Sequence, residues 1–121
     1  MEEKKVTLVL GASTKEERYS NKAIKSLRRH GHPVYAIGLR KGMVEDVEII
    51  KEHPAFTDVD TVTLYLSPKN QEQYYDYIAS LNPRRIIYNP GAENEDLEKL
   101  MEGKAENMEA CTLVLLATNQ Y

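Results

Sequence analysis

Gly11, Ala12 and Ser13 stand directly after the apolar run Thr7-Leu8-Val9-Leu10, and a helical pattern opens near Ser20. Residues of these types in this order can make a phosphate cradle. Small side chains let a tight turn present its backbone N–H groups, and the start of a helix adds its positive dipole end. Lys15, Arg18 and Lys22 surround that helix start, where an anion gains from side-chain charge as well as from the dipole. Glu16 and Glu17 offset part of the charge. A lone glycine is also the ordinary residue of a tight turn. The dinucleotide fingerprint Gly-x-Gly-x-x-Gly needs more glycines than Gly11 supplies.

Arg40 and Lys41 follow the second apolar run. An NAD site wants an acidic residue there to hold the ribose hydroxyls. A basic pair suits a ribose phosphate instead, such as the 3′-phosphate of coenzyme A or the 2′-phosphate of NADP. The plainer alternative is a solvated surface pair. His30 and His32 flank Gly31, and His53 precedes Pro54; all three are expected to be structural or solvent-facing. No Cys, His and carboxylate spacing suggests a metal site. No nucleophile–base pair can be assembled from residues at the strand ends, so these residues suit holding a ligand more than transforming one.

Alternating strands and helices must position these groups. Strands are expected at residues 6–10, 33–39, 61–66 and 84–88, with a short one around Val47, Ile49 and Ile50. A helix over 20–30 buries Ala23, Ile24 and Leu27, and Gly31 ends it. Ser67 reads as an N-cap and Pro68 as the first residue of a helix whose buried stripe is Tyr74, Ile78 and Leu81. Asn82-Pro83 stops that helix. A helix over 94–101 turns Leu97, Leu100 and Met101 inward and closes at Gly103. Glu93, Glu95 and Asp96 already complement its dipole, which makes it a poor phosphate site. The last segment has two readings: a strand over 112–117, or a weak strand over 105–110 followed by a short buried helix after Cys111. Periodicity does not separate them.

The chain has 121 residues, 41% of them hydrophobic, which suits one domain spanning 1–121. Acids exceed bases by 19 to 16, so nothing marks a nucleic-acid or anionic-membrane surface. One cysteine gives no internal disulfide. No run is long enough to span a bilayer and no signal-peptide pattern opens the chain, so a soluble, cytoplasmic protein is expected. Continuously apolar strands alternating with helices imply an α/β fold: a doubly wound, mostly parallel, Rossmann-like sheet of five to six strands, with helices on both faces. Ligands of such sheets bind at the carboxyl ends of the strands, at the topological switch point.

Gly11-Ala12-Ser13, then Arg18-Tyr19-Ser20, then the run from Asn89 to Asn94, then Cys111, together resemble the small stand-alone CoA-binding domain family. Its Rossmann-like fold is similar to the CoA-binding part of the succinyl-CoA synthetase α subunit. The resemblance implies that Gly11, Ser13 and Arg18, Tyr19 and Ser20, with Ala12 and Thr14 in the same turn, wrap the pyrophosphate of coenzyme A. Arg40 and Lys41 would lie near the adenosine phosphate. Ser67 and Pro68 would line the adenine or ribose side, and Asn89, Gly91 and Asn94 the wall by the pantetheine arm. The final strand would precede Cys111 and bring its thiol to the ligand edge. There it could form a mixed disulfide with CoA; the alternative is a small buried core residue. Many relatives carry Trp and Gln before the glycine near residue 91, where this chain runs Tyr88-Asn89-Pro90, and Pro after the cysteine where it has Thr112.

The expected function is therefore non-catalytic binding of CoA or an acyl-CoA, as a sensor or carrier. The alternative is a small NADP-dependent or acyl-CoA-modifying enzyme. A phosphoacceptor receiver domain would need acidic residues at the first strand end, where this chain has Gly11, Ala12 and Ser13. The expected partner is a small nucleotide ligand, with neither nucleic acid nor membrane; a protein partner or a homo-oligomer is left open.

Overall fold

The computed structural model describes residues 3–121. The chain runs β1 (Thr7–Leu10), α1 (Tyr19–Arg29), β2 (Val34–Ile37), β3 (Gly42–Val44), β4 (Val47–Ile50), β5 (Thr61–Leu64), α2 (Pro68–Gln71), α3 (Tyr75–Leu81), β6 (Arg85–Tyr88), α4 (Glu95–Leu100), β7 (Glu106–Glu109) and α5 (Thr112–Ala117). A 3-10 turn, Glu72–Tyr74, joins α2 to α3. One mixed sheet has the order β3-β4-β2-β1-β5-β6-β7. Every neighbouring pair is parallel except β3 with β4.

The uninterrupted apolar strands follow from having a core on each face. Leu8 and Leu10 of β1 point to one side, with Ile78 and Leu81 of α3 and Leu97 of α4. Val9 points to the other, with Ile24 and Leu27 of α1 and Leu116 of α5. Each such fully buried Leu or Ile side chain contributes about 1.5–3 kcal/mol. Among the described residues, no helix is long and apolar enough to cross a membrane.

The sheet has seven strands rather than five or six. The additional strand comes from an antiparallel hairpin in which β3 pairs with β4. Its turn puts Glu45 at φ 55°, which few L-residues adopt, so the sequence carries little hairpin signal there. The turn is held instead from α1: the Arg28 guanidinium donates to both carboxylate oxygens of Asp46, at 2.9 and 2.8 Å.

Three other expectations change. The helix after Ser67 is interrupted by the 3-10 turn, although Tyr74, Ile78 and Leu81 are buried as its periodicity requires. Ser67 occupies the N-cap position with Pro68 next, yet its hydroxyl makes no capping hydrogen bond. Leu100 is 53% exposed, since Leu97 and Met101, one turn apart, already fill the inner side of α4. The last segment takes the strand-then-helix reading. β7 is a half-exposed edge strand, which accounts for its weak apolar pattern, and α5 buries Thr112, Leu115 and Leu116.

Candidate functional site

From β1 the chain winds outward through β2 and β4 on one side and then returns to β5 on the other. This reversal leaves a crevice between the loops beyond β1 and β5, the place where doubly wound sheets hold ligands. A cleft of about 630 Å³ opens there.

Two glycines bring its loops together. Gly11 has φ +94° and a Cβ there would lie 2.7 Å from the Tyr65 carbonyl oxygen, just past β5. A Cβ on Gly38, past β2, would lie 2.3 Å from the Ala12 carbonyl oxygen. The N–H groups of Gly11 and Ala12 both donate to the Ile37 carbonyl at 3.0 Å. The turn is thereby tied to β2, and these two donors are spent on the framework.

The donors that remain lie further along. Ser13 Oγ accepts from the Lys15 N–H at 3.1 Å, and the Ser13 carbonyl accepts from Asn21 Nδ2 at 3.0 Å. Arg18 takes the N-cap position of α1 without a capping side chain, and the first turn of the helix holds no acidic residue. Among the described residues, nothing accepts from the N–H groups of Ser13, Thr14, Tyr19 or Ser20. Open donors at a helix start concentrate positive potential. Lys15, Arg18 and Arg40 line the same cleft, and among the described residues its lining contains no Asp, Glu, His or Cys. Tyr19 and Leu39 flank it as apolar groups exposed by 68% and 80%.

Gly11, Ala12, Ser13, Thr14, Arg18, Tyr19, Ser20, Arg40, Ser67 and Gly91 all line this cleft. Lys41, Pro68, Asn89, Asn94 and Cys111 do not. Lys41 faces Glu52, at 3.8 Å, on the exposed surface. Asn89 is buried: its Nδ2 donates to Thr63 Oγ1 and the Leu64 carbonyl, and its Oδ1 accepts from the Thr112 N–H at 2.9 Å. It therefore caps α5, whose own N-cap residue, Cys111, makes no capping hydrogen bond. Asn94 is also buried and caps α4, accepting from the Leu97 N–H at 3.2 Å. Cys111 is half-buried just after β7.

Pro90 and Ala92, part of the Asn89 to Asn94 run, also line the cleft, as do Leu39, Tyr65, Leu66 and Asn70, which sequence reasoning did not single out. Leu39 and Leu66 adjoin a turn residue that was singled out, and Asn70 lies three residues after Ser67, so their proximity is the signal. Tyr65 lies beside Thr63 and Thr112, and burial pushes its phenol well above the usual range. The histidines keep to the framework: His32 Nδ1 accepts from the Lys5 N–H, His30 Nδ1 meets the Ser26 carbonyl, and His53 packs between Tyr74 and Tyr77. Among the described residues, no group of three His, Cys, Asp or Glu side chains could hold a metal ion.

The family model described as a CoA binding domain matches residues 5–117. A crystal structure of an uncharacterized protein is 43% identical, with a TM-score of 0.94 over 99% of this chain and 100% of that one. A hypothetical protein from Pyrococcus horikoshii OT3 is 24% identical, with a TM-score of 0.78 over 92% of this chain and 80% of that one. A conserved hypothetical protein from Pyrococcus furiosus is 23% identical, with a TM-score of 0.77 over 92% and 97%. The two archaeal structures share the fold. No curated protein matches the chain.

Proposed function

Because this chain belongs to the CoA binding domain family, we propose that its cleft holds coenzyme A or an acyl-CoA without transforming it, as a sensor or carrier module. One observation carries the reading: open N–H donors at the start of α1, together with Lys15, Arg18 and Arg40, converge on a crevice whose described lining holds no acidic side chain. A pyrophosphate fits such a place, because its charge meets both the helix dipole and charge-assisted hydrogen bonds. Arg40 lines the same cleft from the loop beyond β2 and supplies a cation for a nucleotide's ribose phosphate. Exposed Tyr19 and Leu39 offer apolar cover to a base or an acyl chain. The loops after β5 and β6 offer Leu66, Pro90 and Ala92 as a wall for the pantetheine arm.

The lining also favours holding over chemistry. General acid–base or nucleophilic work most often uses a His or carboxylate, alone or beside a nucleophile, and the described lining holds no Asp, Glu or His to partner its hydroxyls or Lys15. Titration calorimetry with CoA, NADP, NAD and ATP tests the proposal. The expected order has CoA binding most tightly. Preference for NAD over CoA would overturn it, and turnover of NADPH with a carbonyl substrate would replace the carrier reading with a reductase. Mass analysis of ligand retained through purification separates free CoA from an acyl thioester.

A further inference from the structure

Behind the wall formed by the loops after β5 and β6 lies a buried chain of amides. Gln71, the last residue of α2, is fully buried. Its Nε2 donates to the Leu66 carbonyl and to the Ala92 carbonyl, both at 2.8 Å. Leu66 belongs to the loop after β5 and Ala92 to the loop after β6, and both line the cleft. Gln71 Oε1 accepts from Asn94 Nδ2 at 2.9 Å, which decides which way the amide faces. Asn94 Nδ2 also donates to the Tyr75 hydroxyl at 2.8 Å, while its Oδ1 caps α4. One satisfied network thus joins α2, α3 and α4 to both loops.

The tie matters because the sheet stops short of the cleft. Pairing of β5 with β6 ends at Leu64 and Tyr88. Beyond those residues, no backbone hydrogen bond among the described residues passes directly between 65–67 and 90–92. Gln71 supplies two diverging donors and one acceptor on a side chain long enough to reach all three partners. Asparagine is a methylene shorter. An ionised glutamate donates nothing. Methionine would fill the space but leave two carbonyls and an N–H without partners.

We infer that Gln71 is a positioning residue for the cleft. It fixes the separation of the Leu66 and Ala92 loops, and so the fit of the ligand against that wall, without touching the ligand. This inference rests on the proposed CoA reading of the cleft. Asn94 acts one step further back, by orienting the Gln71 amide.

The test uses Gln71→Glu and Gln71→Met in the full chain, titrated with CoA at a temperature where circular dichroism shows each variant folded. Binding should weaken about ten-fold or more. Thr7→Val, at the opposite end of β1, is the control. It should lower the melting temperature yet keep CoA affinity within about two-fold, because a purely structural loss does not change the affinity of molecules that are folded. Wild-type affinity in both folded Gln71 variants would overturn the inference. Where neither folds, Asn94→Asp serves: it keeps the α4 cap but draws the Gln71 amide hydrogens away from the carbonyls. It should weaken CoA, and unchanged affinity would again overturn the inference. Amide exchange in the ligand-free protein separates this inference from the reading beneath it. Faster exchange around Leu66 and Ala92 in the Gln71 variants, beside a wild type that ignores CoA, would sink the CoA reading and keep the positioning role. Unchanged exchange there would sink the positioning role.

Discussion

Asn89 joins three elements with one amide. It donates to Thr63 and Leu64 at the end of β5 and accepts from Thr112 at the start of α5, all from the end of β6. Asn89→Ala would strand buried partners on two other elements, and a loss of about 2–4 kcal/mol in urea unfolding is expected. Asn89→Asp keeps the acceptor but sets a buried carboxylate oxygen against the Leu64 carbonyl, and should lose at least as much. This residue also marks where reading letters stops working. In sequence, Asn89 and Asn94 look like polar groups at a strand end and a helix start, and either could face a ligand. Direction is what the letters omit: both amides turn inward because orphan helix N–H groups need acceptors there. Arg40 is the opposite case, a cation on the cleft rim that the sequence did assign to a phosphate. Arg40→Glu should weaken CoA more than 3′-dephospho-CoA, by roughly 1–3 kcal/mol, as read by calorimetry. Equal weakening of both would show that Arg40 does not read that phosphate.

Among the elements, those whose signal is local were legible. β1, β2, β5, β6 and α1 have short apolar runs or a clear helical stripe, with breakers at their ends. The β3–β4 hairpin was only half legible, because a tertiary pair, Arg28 with Asp46, holds a turn that its own residues do not favour. A related pair ties β5 to β6. Burial pushes the Asp60 carboxyl up, but hydrogen bonds from Arg84 and Thr61 outweigh that and hold it below the usual carboxylate range. With the folded value lowered, the pair's stability is present above the ordinary carboxylate range and is lost as pH falls through the folded value. Asp60→Asn should therefore cost roughly 0.5–1 kcal/mol at neutral pH, since Arg84 is largely exposed and solvent screens the pair. The gap between wild type and variant should close in strong acid. A gap independent of pH would remove the carboxylate from the account.

For the molecule as a whole, two cores share one sheet, so opening either exposes the other. Unfolding should appear as one transition, by heat and by urea alike, with coincident probes. A ligand that binds only the folded form shifts that transition by mass action. CoA at a hundred times its dissociation constant should add about 2.7 kcal/mol, or roughly 10 °C in melting temperature, and NAD at the same concentration should add much less. The fold class and the edge that carries the cleft were legible because parallel order and a switch point follow from alternation alone. The depth of the cleft wall was not, because it depends on which loops lean together after the strands end. Gly38 shows what that leaning entails. The next smallest residue would bring a methyl group to 2.3 Å from the Ala12 oxygen. Position 38 is thus closed to gradual drift. A descendant that carried even alanine there would first have to re-route the loop beyond β1, and the floor of the cleft would have to be rebuilt in the same step.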